Sequence, residues 1–197
     1  MEVLLDQLIK LDKELFLFLN GIHNPFWDQV MFYISDKWIW IPLYAFFLFL
    51  VWKKYRKQFW IILIAAAVLI TLTDQVHLHL FKNLFERLRP THDPDLQGMV
   101  HTVNNYFGGK YGFVSGHASN SFAIAVFLSI LLGAKYKCFT PLVLLWAALV
   151  SYSRIYLGVH FPGDVIGGAI LGSLLGIFIA MIALEIINKK HDEKIRF

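Results

Sequence analysis

The sequence predicts an all-α bundle of membrane-spanning helices. Hydrophobic residues make up 57% of the 197 residues, above the roughly 45–50% that is usual for soluble domains. They are concentrated in long apolar stretches, and the lysines and arginines lie mostly in the short loops between those stretches. A soluble domain of this length could not bury so much apolar sequence. We therefore expect a polytopic membrane protein with about five spans, six being the alternative.

The first segment, residues 1–37, is predicted to lie in the membrane interface. Apolar residues in its first 20 positions recur at helical spacing, but charged residues such as Asp6, Lys10 and Asp12 interrupt them. An amphipathic helix with this many charges lies along the interface instead of crossing it. The turn at Asn24-Pro25 precedes a second short helix, predicted over residues 26–35.

The spanning domain is predicted over residues 38–188. Its first apolar stretch, residues 38–52, is shorter than the roughly 20 residues that a span needs, so its helix starts earlier or tilts little. A polar, glycine-containing segment at residues 82–114 is predicted to form a cap. The five predicted spans are residues 38–52, 59–80, 117–134, 139–153 and 165–187.

The basic loops predict the orientation of the bundle. Residues 53–57, 135–137 and 189–196 hold four, two and four lysines or arginines, and in a five-span chain all three fall on one side. That side is cytoplasmic by the positive-inside rule, so residues 189–197 are predicted to be a basic cytoplasmic tail. The net charge of +4 is thus explained by topology, and we expect no nucleic acid partner.

Polar residues gather where apolar stretches end, most clearly at residues 154–164. His160 and Asp164 are four residues apart, so they share a face if a helix begins here. A carboxylate beside an imidazole fixes its orientation and tautomer. Arg154 adds a planar set of donors suited to phosphate, and Pro162 suits the first turn of a helix.

Two further clusters lie on the same predicted side. Lys82 and Arg89 are seven residues apart, which is two helical turns, and this spacing predicts that they share one helix face. Ser115-Gly116-His117 opens an apolar stretch, so its backbone amides and its hydroxyl are expected at a helix start. Such a helix start attracts anions.

These three clusters resemble the motifs of the type 2 phosphatidic acid phosphatase (PAP2) superfamily, in particular its bacterial integral-membrane lipid phosphatases. The motifs are K-x6-RP at Lys82–Pro90, SGH at Ser115–His117 and SR-x5-H-x3-D at Ser153–Asp164. The resemblance covers roughly residues 58–187 and implies a core like that of the vanadium haloperoxidases, which belong to the same superfamily. One departure is Val114, where the family usually has proline.

The resemblance implies a metal-independent phosphatase without a cofactor. It implies that His160 is the nucleophile, that Asp164 orients it, and that His117 is the general acid and then the general base. It assigns the binding of phosphate to Lys82, Arg89, Ser115, Gly116 and Arg154.

The implied substrate is a membrane lipid phosphate. With the basic loops in the cytoplasm, it is expected to be hydrolysed at the periplasmic or outer face of the bacterial inner membrane. Undecaprenyl pyrophosphate is favoured by the resemblance, followed by lipid A, with phosphatidylglycerol phosphate and phosphatidic acid also possible. Two alternatives stay open: a lipid phosphotransferase that uses the same site, and a non-catalytic transporter or scaffold. The sequence does not predict an oligomeric state.

Other charged and small residues are expected to have structural roles. Asp74, near the end of a span, is placed outside the site. Glycines recur at four-residue spacing over residues 163–176 and predict close helix packing within the chain. Surface positions on the cap are expected for Glu86, Arg87, Asp93 and Asp95.

Overall fold

The structure is a computed structural model that describes the backbone of residues 2–195 and the side chains of residues 3–81 and 84–189. Within these residues the regular structure is helical and contains no strand, which confirms the all-α prediction. The α-helices are α1 (Glu2–Asn20), α2 (Pro25–Ser35), α3 (Ile41–Tyr55), α4 (Phe59–Gln75), α5 (Asn83–Phe85), α6 (Gly116–Leu132), α7 (Phe139–Tyr156) and α8 (Pro162–Ile195). A π-helix, Val76–Lys82, extends α4, and 3-10 turns lie at Lys37–Trp40, Arg56–Gln58, Pro90–His92 and Pro94–Leu96.

Three helical stretches are long and apolar enough to cross a membrane, namely Lys37–Phe81, Phe139–Tyr156 and Pro162–Lys189. The first has 45 residues and is divided into α3 and α4 by the turn at Arg56–Gln58. The helix α6 is shorter but also apolar. The five predicted spans thus correspond to α3, α4, α6, α7 and α8.

The predicted short helix after Asn24 is also present. The Asn24 side chain accepts a hydrogen bond of 3.0 Å from the Trp27 amide, and Pro25 occupies the first turn of α2. A side-chain acceptor and a proline at these positions satisfy or remove amides that have no partner inside the helix. Helix α8 also begins with a proline, Pro162.

Helix α8 packs closely on α6 along its glycines. A methyl group placed on Gly176 would lie 2.7 Å from the Ala123 carbonyl oxygen, and one on Gly168 would lie 2.5 Å from the Ser115 carbonyl oxygen. Neither position has space for a side chain. The glycine spacing therefore serves packing within the chain, as predicted.

Two of the basic loops meet at one end of the bundle. Lys54 and Tyr55, next to the turn after α3, both donate hydrogen bonds to the Leu131 carbonyl near the end of α6, at 2.5 and 2.9 Å. Residues 53–57 therefore lie beside the start of the 135–137 loop. Of the predicted tail at residues 189–197, only the Lys189 side chain lies within the described residues.

The other end of the bundle is covered by α1, α2 and the cap. Phe16 of α1 is fully buried, and its ring meets that of Phe161 edge to face, with centroids 5.3 Å apart. Lys13 forms ion pairs of 2.7 Å with Asp93 and with Asp95. The two aspartates are thus partners of α1, whereas the sequence predicted only surface charges.

Candidate active site

A cavity of about 660 Å³ opens at the end of the bundle that carries the three motifs. This volume lies within the range of small-molecule sites, roughly 300–1,000 Å³. Predicted site residues in its wall are Arg89, Gly116, His117, Arg154 and His160. Segments separated by up to 71 positions along the chain therefore meet in one wall.

His160 and Asp164 lie side by side, as predicted. His160 Nδ1 is 3.4 Å from Asp164 Oδ2, and both side chains are buried. His160 comes before α8, whereas Asp164 is in its first turn, where a carboxylate is favoured by the helix dipole. Because Nδ1 faces the carboxylate, that nitrogen carries the proton, and Nε2 is the nitrogen suited to act as a nucleophile.

Arg87 holds the other oxygen of Asp164. Its guanidinium donates a hydrogen bond of 2.8 Å to Asp164 Oδ1 and another of 2.6 Å to Asp12 Oδ2 on α1. Asp12 also accepts a hydrogen bond of 2.8 Å from the Gly163 amide. The predicted surface position of Arg87 is wrong, because its side chain is only 25% exposed and pairs with two aspartates. No sequence spacing relates residue 87 to residue 12 or to residue 164.

Two buried guanidinium groups face the cavity. Arg154, at the end of α7, donates hydrogen bonds to the hydroxyls of Ser35 and Tyr106. Arg89 donates to the Tyr111 and Val159 carbonyls at 3.1 and 3.2 Å. All four acceptors are neutral. Among the described side chains, neither arginine forms an ion pair.

The buried positive charge of Arg89 and Arg154 favours the binding of an anion. Burial, and next the positive charge of Arg154, lower the pKa of the Arg89 guanidinium, although an arginine keeps its proton. The Nε of Arg154 is buried and has no hydrogen-bond partner among the described atoms. The Asp164 carboxylate acts on Arg89 through space but forms its ion pair with Arg87. Buried charge that is not fully paired is costly, so an anion bound between the two arginines would stabilise the site.

The end of α2 contributes a residue that the sequence analysis missed. The Ser35 hydroxyl accepts from Arg154, and the Ser35 carbonyl oxygen is 3.2 Å from His117 Nε2. A carbonyl can only accept a hydrogen bond, so Nε2 of His117 is the donor. Ser35 therefore contacts both Arg154 and His117. The three residues are far apart in the sequence, so the contact could not be predicted from spacing.

Two predicted residues lie behind the cavity wall. Ser115 is fully buried, and its amide donates a hydrogen bond of 2.9 Å to the Asp164 carbonyl, which joins the start of α6 to the start of α8. Its hydroxyl has no hydrogen-bond partner among the described atoms. Asp164 lies behind His160 and is fully buried.

Lys82 and Arg89 do not share a helix face. The chain leaves the helix after Phe85, Glu86 adopts a φ of 41°, and Arg89 is extended. That part of the prediction is wrong. Arg89 precedes Pro90, and a residue before proline is disfavoured in a helix, so the sequence did contain the contrary signal. The Lys82 side chain lies outside the described residues.

Asp74 belongs to the cavity wall, contrary to the expectation that it lies outside the site. Its Oδ1 accepts a hydrogen bond of 2.8 Å from the Asn120 side chain and is 3.7 Å from His77 Nδ1. All three residues line the cavity. They add a polar patch that the motif spacing gave no reason to expect.

The remaining wall contains Lys37 and Ser121 but is otherwise mostly aromatic and aliphatic. The rings of Trp40 and Tyr44 both meet that of Trp146 edge to face, with centroids 5.8 and 6.0 Å apart. Ile70, Ile124 and Val150 complete this wall. A ligand with an anionic head and an apolar tail matches both halves of the cavity.

Comparison with known proteins identifies the family. A model of the PAP2 superfamily matches residues 62–187. Two curated lipid A 4'-phosphatases are each 39% identical to the chain. The protein from Porphyromonas gingivalis aligns over 91% of this chain and 76% of its own length, and that from Bacteroides thetaiotaomicron over 96% and 84%.

A more distant relative is an undecaprenyl-diphosphatase of Sulfolobus acidocaldarius, 29% identical over 96% of this chain and 85% of its own length. Among solved structures, the fold matches a transmembrane PAP2-type phosphatidylglycerolphosphate phosphatase from Bacillus subtilis. The TM-score is 0.65 at 24% identity, covering 96% of this chain and 88% of that one. Motif order, fold and sequence similarity agree: the chain belongs to the PAP2 superfamily and is a membrane phosphatase.

Proposed function

We propose that this phosphatase hydrolyses a lipid phosphate monoester through a phosphohistidine on His160. The observation that carries the proposal is the arrangement of the cavity. The Asp164-oriented imidazole of His160 faces the same space as two buried guanidinium groups, neither of which forms an ion pair with a described side chain. The phosphoryl group would lie between Arg89 and Arg154, where its equatorial oxygens meet positive charge.

In the first step, Nε2 of His160 attacks phosphorus. The P–N bond forms as the bond from phosphorus to the lipid oxygen breaks, and His117 gives a proton to that oxygen. In the second step water attacks phosphorus, the P–N bond breaks, and His117 takes the water proton. The products are the lipid alcohol and inorganic phosphate. Lys82, Ser115 and Gly116 would assist in binding phosphate, and no step requires a metal.

The proposed substrate class is a phosphorylated glycolipid of the lipid A type. The family resemblance favoured undecaprenyl pyrophosphate, but the two lipid A 4'-phosphatases are more similar to this chain than the undecaprenyl-diphosphatase is. The polar patch of Asp74 and Asn120 also supports lipid A over undecaprenyl pyrophosphate as the substrate. A carboxylate accepts hydrogen bonds from sugar hydroxyls, whereas it repels a second phosphate.

The proposed orientation of the protein in the membrane follows from the positions of its basic loops. With residues 53–57 and 135–137 in the cytoplasm, the cavity opens at the periplasmic face of the inner membrane. The lipid tail then stays among apolar side chains and acyl chains while the phosphate reaches the arginines. The N-terminal segment, residues 1–37, would lie in the same interface.

The test is phosphate release by the detergent-purified protein in the presence of EDTA. The substrates are lipid A, undecaprenyl pyrophosphate, phosphatidylglycerol phosphate and phosphatidic acid, with His160→Ala as the inactive variant and His92→Ala, on the exposed cap, as the matched control. We expect lipid A to be dephosphorylated fastest, with turnover lost only in His160→Ala. Faster release from undecaprenyl pyrophosphate would overturn the substrate class, and transfer of phosphate to a lipid acceptor would make the protein a phosphotransferase.

A further inference from the structure

Three residues outside the cavity wall form a compact cluster of metal-ligand types. His23 lies in the loop between α1 and α2, Asp28 in the first turn of α2, and His101 in the cap. One ligand atom from each lies within 4.8 Å of the ligand atoms of the other two. His101 Nε2 is 2.9 Å from Asp28 Oδ1. His101 is 73 positions from Asp28 along the chain, so the fold brings it to the other two residues.

The rings of His23 and His101 lie face to face. Their centroids are 3.6 Å apart and their planes differ by 2°. In this stacked arrangement the in-plane lone pairs of the two rings run parallel, so both rings can bind one ion only after one of them turns. The His23 ring is exposed and has room to turn.

The cluster is also held by surrounding hydrogen bonds. Asn20, which is buried, accepts from the His101 amide at 2.8 Å and donates to the His101 carbonyl at 3.1 Å. The Tyr156 hydroxyl donates to Asp28 Oδ1 at 2.8 Å. Partners that orient the ligands in this way are a general feature of metal sites.

From this geometry we propose that His23, Asp28 and His101 bind one divalent transition-metal ion, with zinc as the best match. Two imidazoles and one carboxylate are a common protein ligand set for zinc, and water would occupy the fourth position. His23 is exposed, so the ion can reach the site from solvent. Hard cations such as magnesium prefer oxygen ligands and would bind poorly here.

The ion would join the loop between α1 and α2, helix α2 and the cap. It would tie the cap, through His101, to α2, whose last residue Ser35 contacts Arg154. None of the three ligands lines the cavity. The proposed role of the ion is therefore structural, and its removal takes no group away from the proposed phosphatase chemistry.

The competing explanation is an ordinary ion pair between Asp28 and His101, with His23 stacked on it. The competing explanation requires no zinc binding, so a direct binding measurement separates the two explanations. The full-length protein, freed of any polyhistidine tag and dialysed against a chelator, would be titrated with zinc in competition with a chromophoric chelator. Cobalt would serve as a spectroscopic probe and magnesium as a negative control.

We expect one zinc ion per chain. His23→Ala and His101→Ala should each weaken binding at least about tenfold, because loss of even an orienting partner commonly costs about 10–100-fold. Tyr156→Phe, which removes only such a partner, should weaken binding by about tenfold, at the lower end of that range. The exposed His79→Ala and His92→Ala are matched controls and should bind as the unmodified protein does.

The exposed position of His23 makes its variant the safest one to interpret. His23→Ala should keep phosphatase activity in chelator, which shows that it is folded, and zinc should raise the melting temperature of the unmodified protein but not of this variant. Bound cobalt should give a visible d–d band that His23→Ala weakens. Absence of zinc binding by the tag-free protein, or binding unchanged in the His23→Ala, His101→Ala double variant, would overturn the site.

Discussion

Arg87 donates a hydrogen bond of 2.8 Å to Oδ1 of the fully buried Asp164. The other carboxylate oxygen, Oδ2, faces His160. The same guanidinium reaches Asp12 of α1 at 2.6 Å. Arg87 therefore connects the N-terminal helix to the pair that the proposed mechanism uses for attack on phosphorus.

Replacing Arg87 by alanine is expected to lower kcat by about 10–100-fold and to change KM little. Removing the partner that orients an active-site group commonly costs this much, and Arg87 acts through Asp164 without touching phosphate. Steady-state kinetics would measure the split. Lys13→Ala is the matched control, because it breaks another contact of α1 with the cap but not the contact with Asp164. Equal losses in the two variants would contradict the assignment.

Ser35→Ala is expected to lower kcat/KM by about 10–100-fold. The substitution removes the hydroxyl that accepts from Arg154, and a hydrogen bond to a charged group contributes about 1.5–3 kcal/mol. The carbonyl contact with His117 is retained. The control is Ser129→Ala, whose hydroxyl bonds only within its own helix, to Ala125. Unchanged kinetics in Ser35→Ala would show that Arg154 keeps its position without this residue.

His117→Ala is expected to lower kcat for a lipid phosphate by about 10²–10⁴-fold, the usual contribution of a general acid and base. An aryl phosphate with a good leaving group needs no acid in the first step. The variant should therefore release a burst of p-nitrophenolate from p-nitrophenyl phosphate and then stall as the phosphoenzyme. Stopped-flow absorbance would record the burst, and a slow release without a burst would place His117 outside the second step.

Asp74→Asn is expected to raise the turnover of undecaprenyl pyrophosphate relative to lipid A by about threefold to tenfold. The substitution removes a negative charge from the cavity wall, and solvent screening keeps the effect moderate because the side chain is 43% exposed. Competition between the two lipids would measure the ratio. Asp6→Asn on α1 is the charge-matched control, and an unchanged ratio in Asp74→Asn would contradict the role of this carboxylate in selectivity.

Local patterns were sufficient to predict the bundle. The apolar stretches matched five helices, and the proline and asparagine at residues 24–25 marked the start of α2. The short spacing between His160 and Asp164 also placed the two side chains together, even though only Asp164 is inside the helix. In each of these cases the determining contacts lie within a few residues along the chain.

Tertiary contacts explain what the sequence could not predict. Ser35 reaches Arg154 across 119 positions, Arg87 reaches Asp164 across 77, and Asn120 reaches Asp74 across 46. No periodicity relates such pairs. The predicted shared face of Lys82 and Arg89 failed for a local reason, because the spacing argument assumed a helix that ends at Phe85.

The central claim is that His160 carries the phosphoryl group, and trapping that intermediate tests it most directly. The protein would be mixed with labelled lipid phosphate in EDTA, quenched within milliseconds under alkaline conditions that preserve phosphohistidine, and digested for mass spectrometry. We predict an acid-labile phosphoryl group on His160 that is absent from His160→Ala and accumulates in His117→Ala treated with an aryl phosphate. Turnover without a phosphoenzyme, or a label on another residue, would contradict the account.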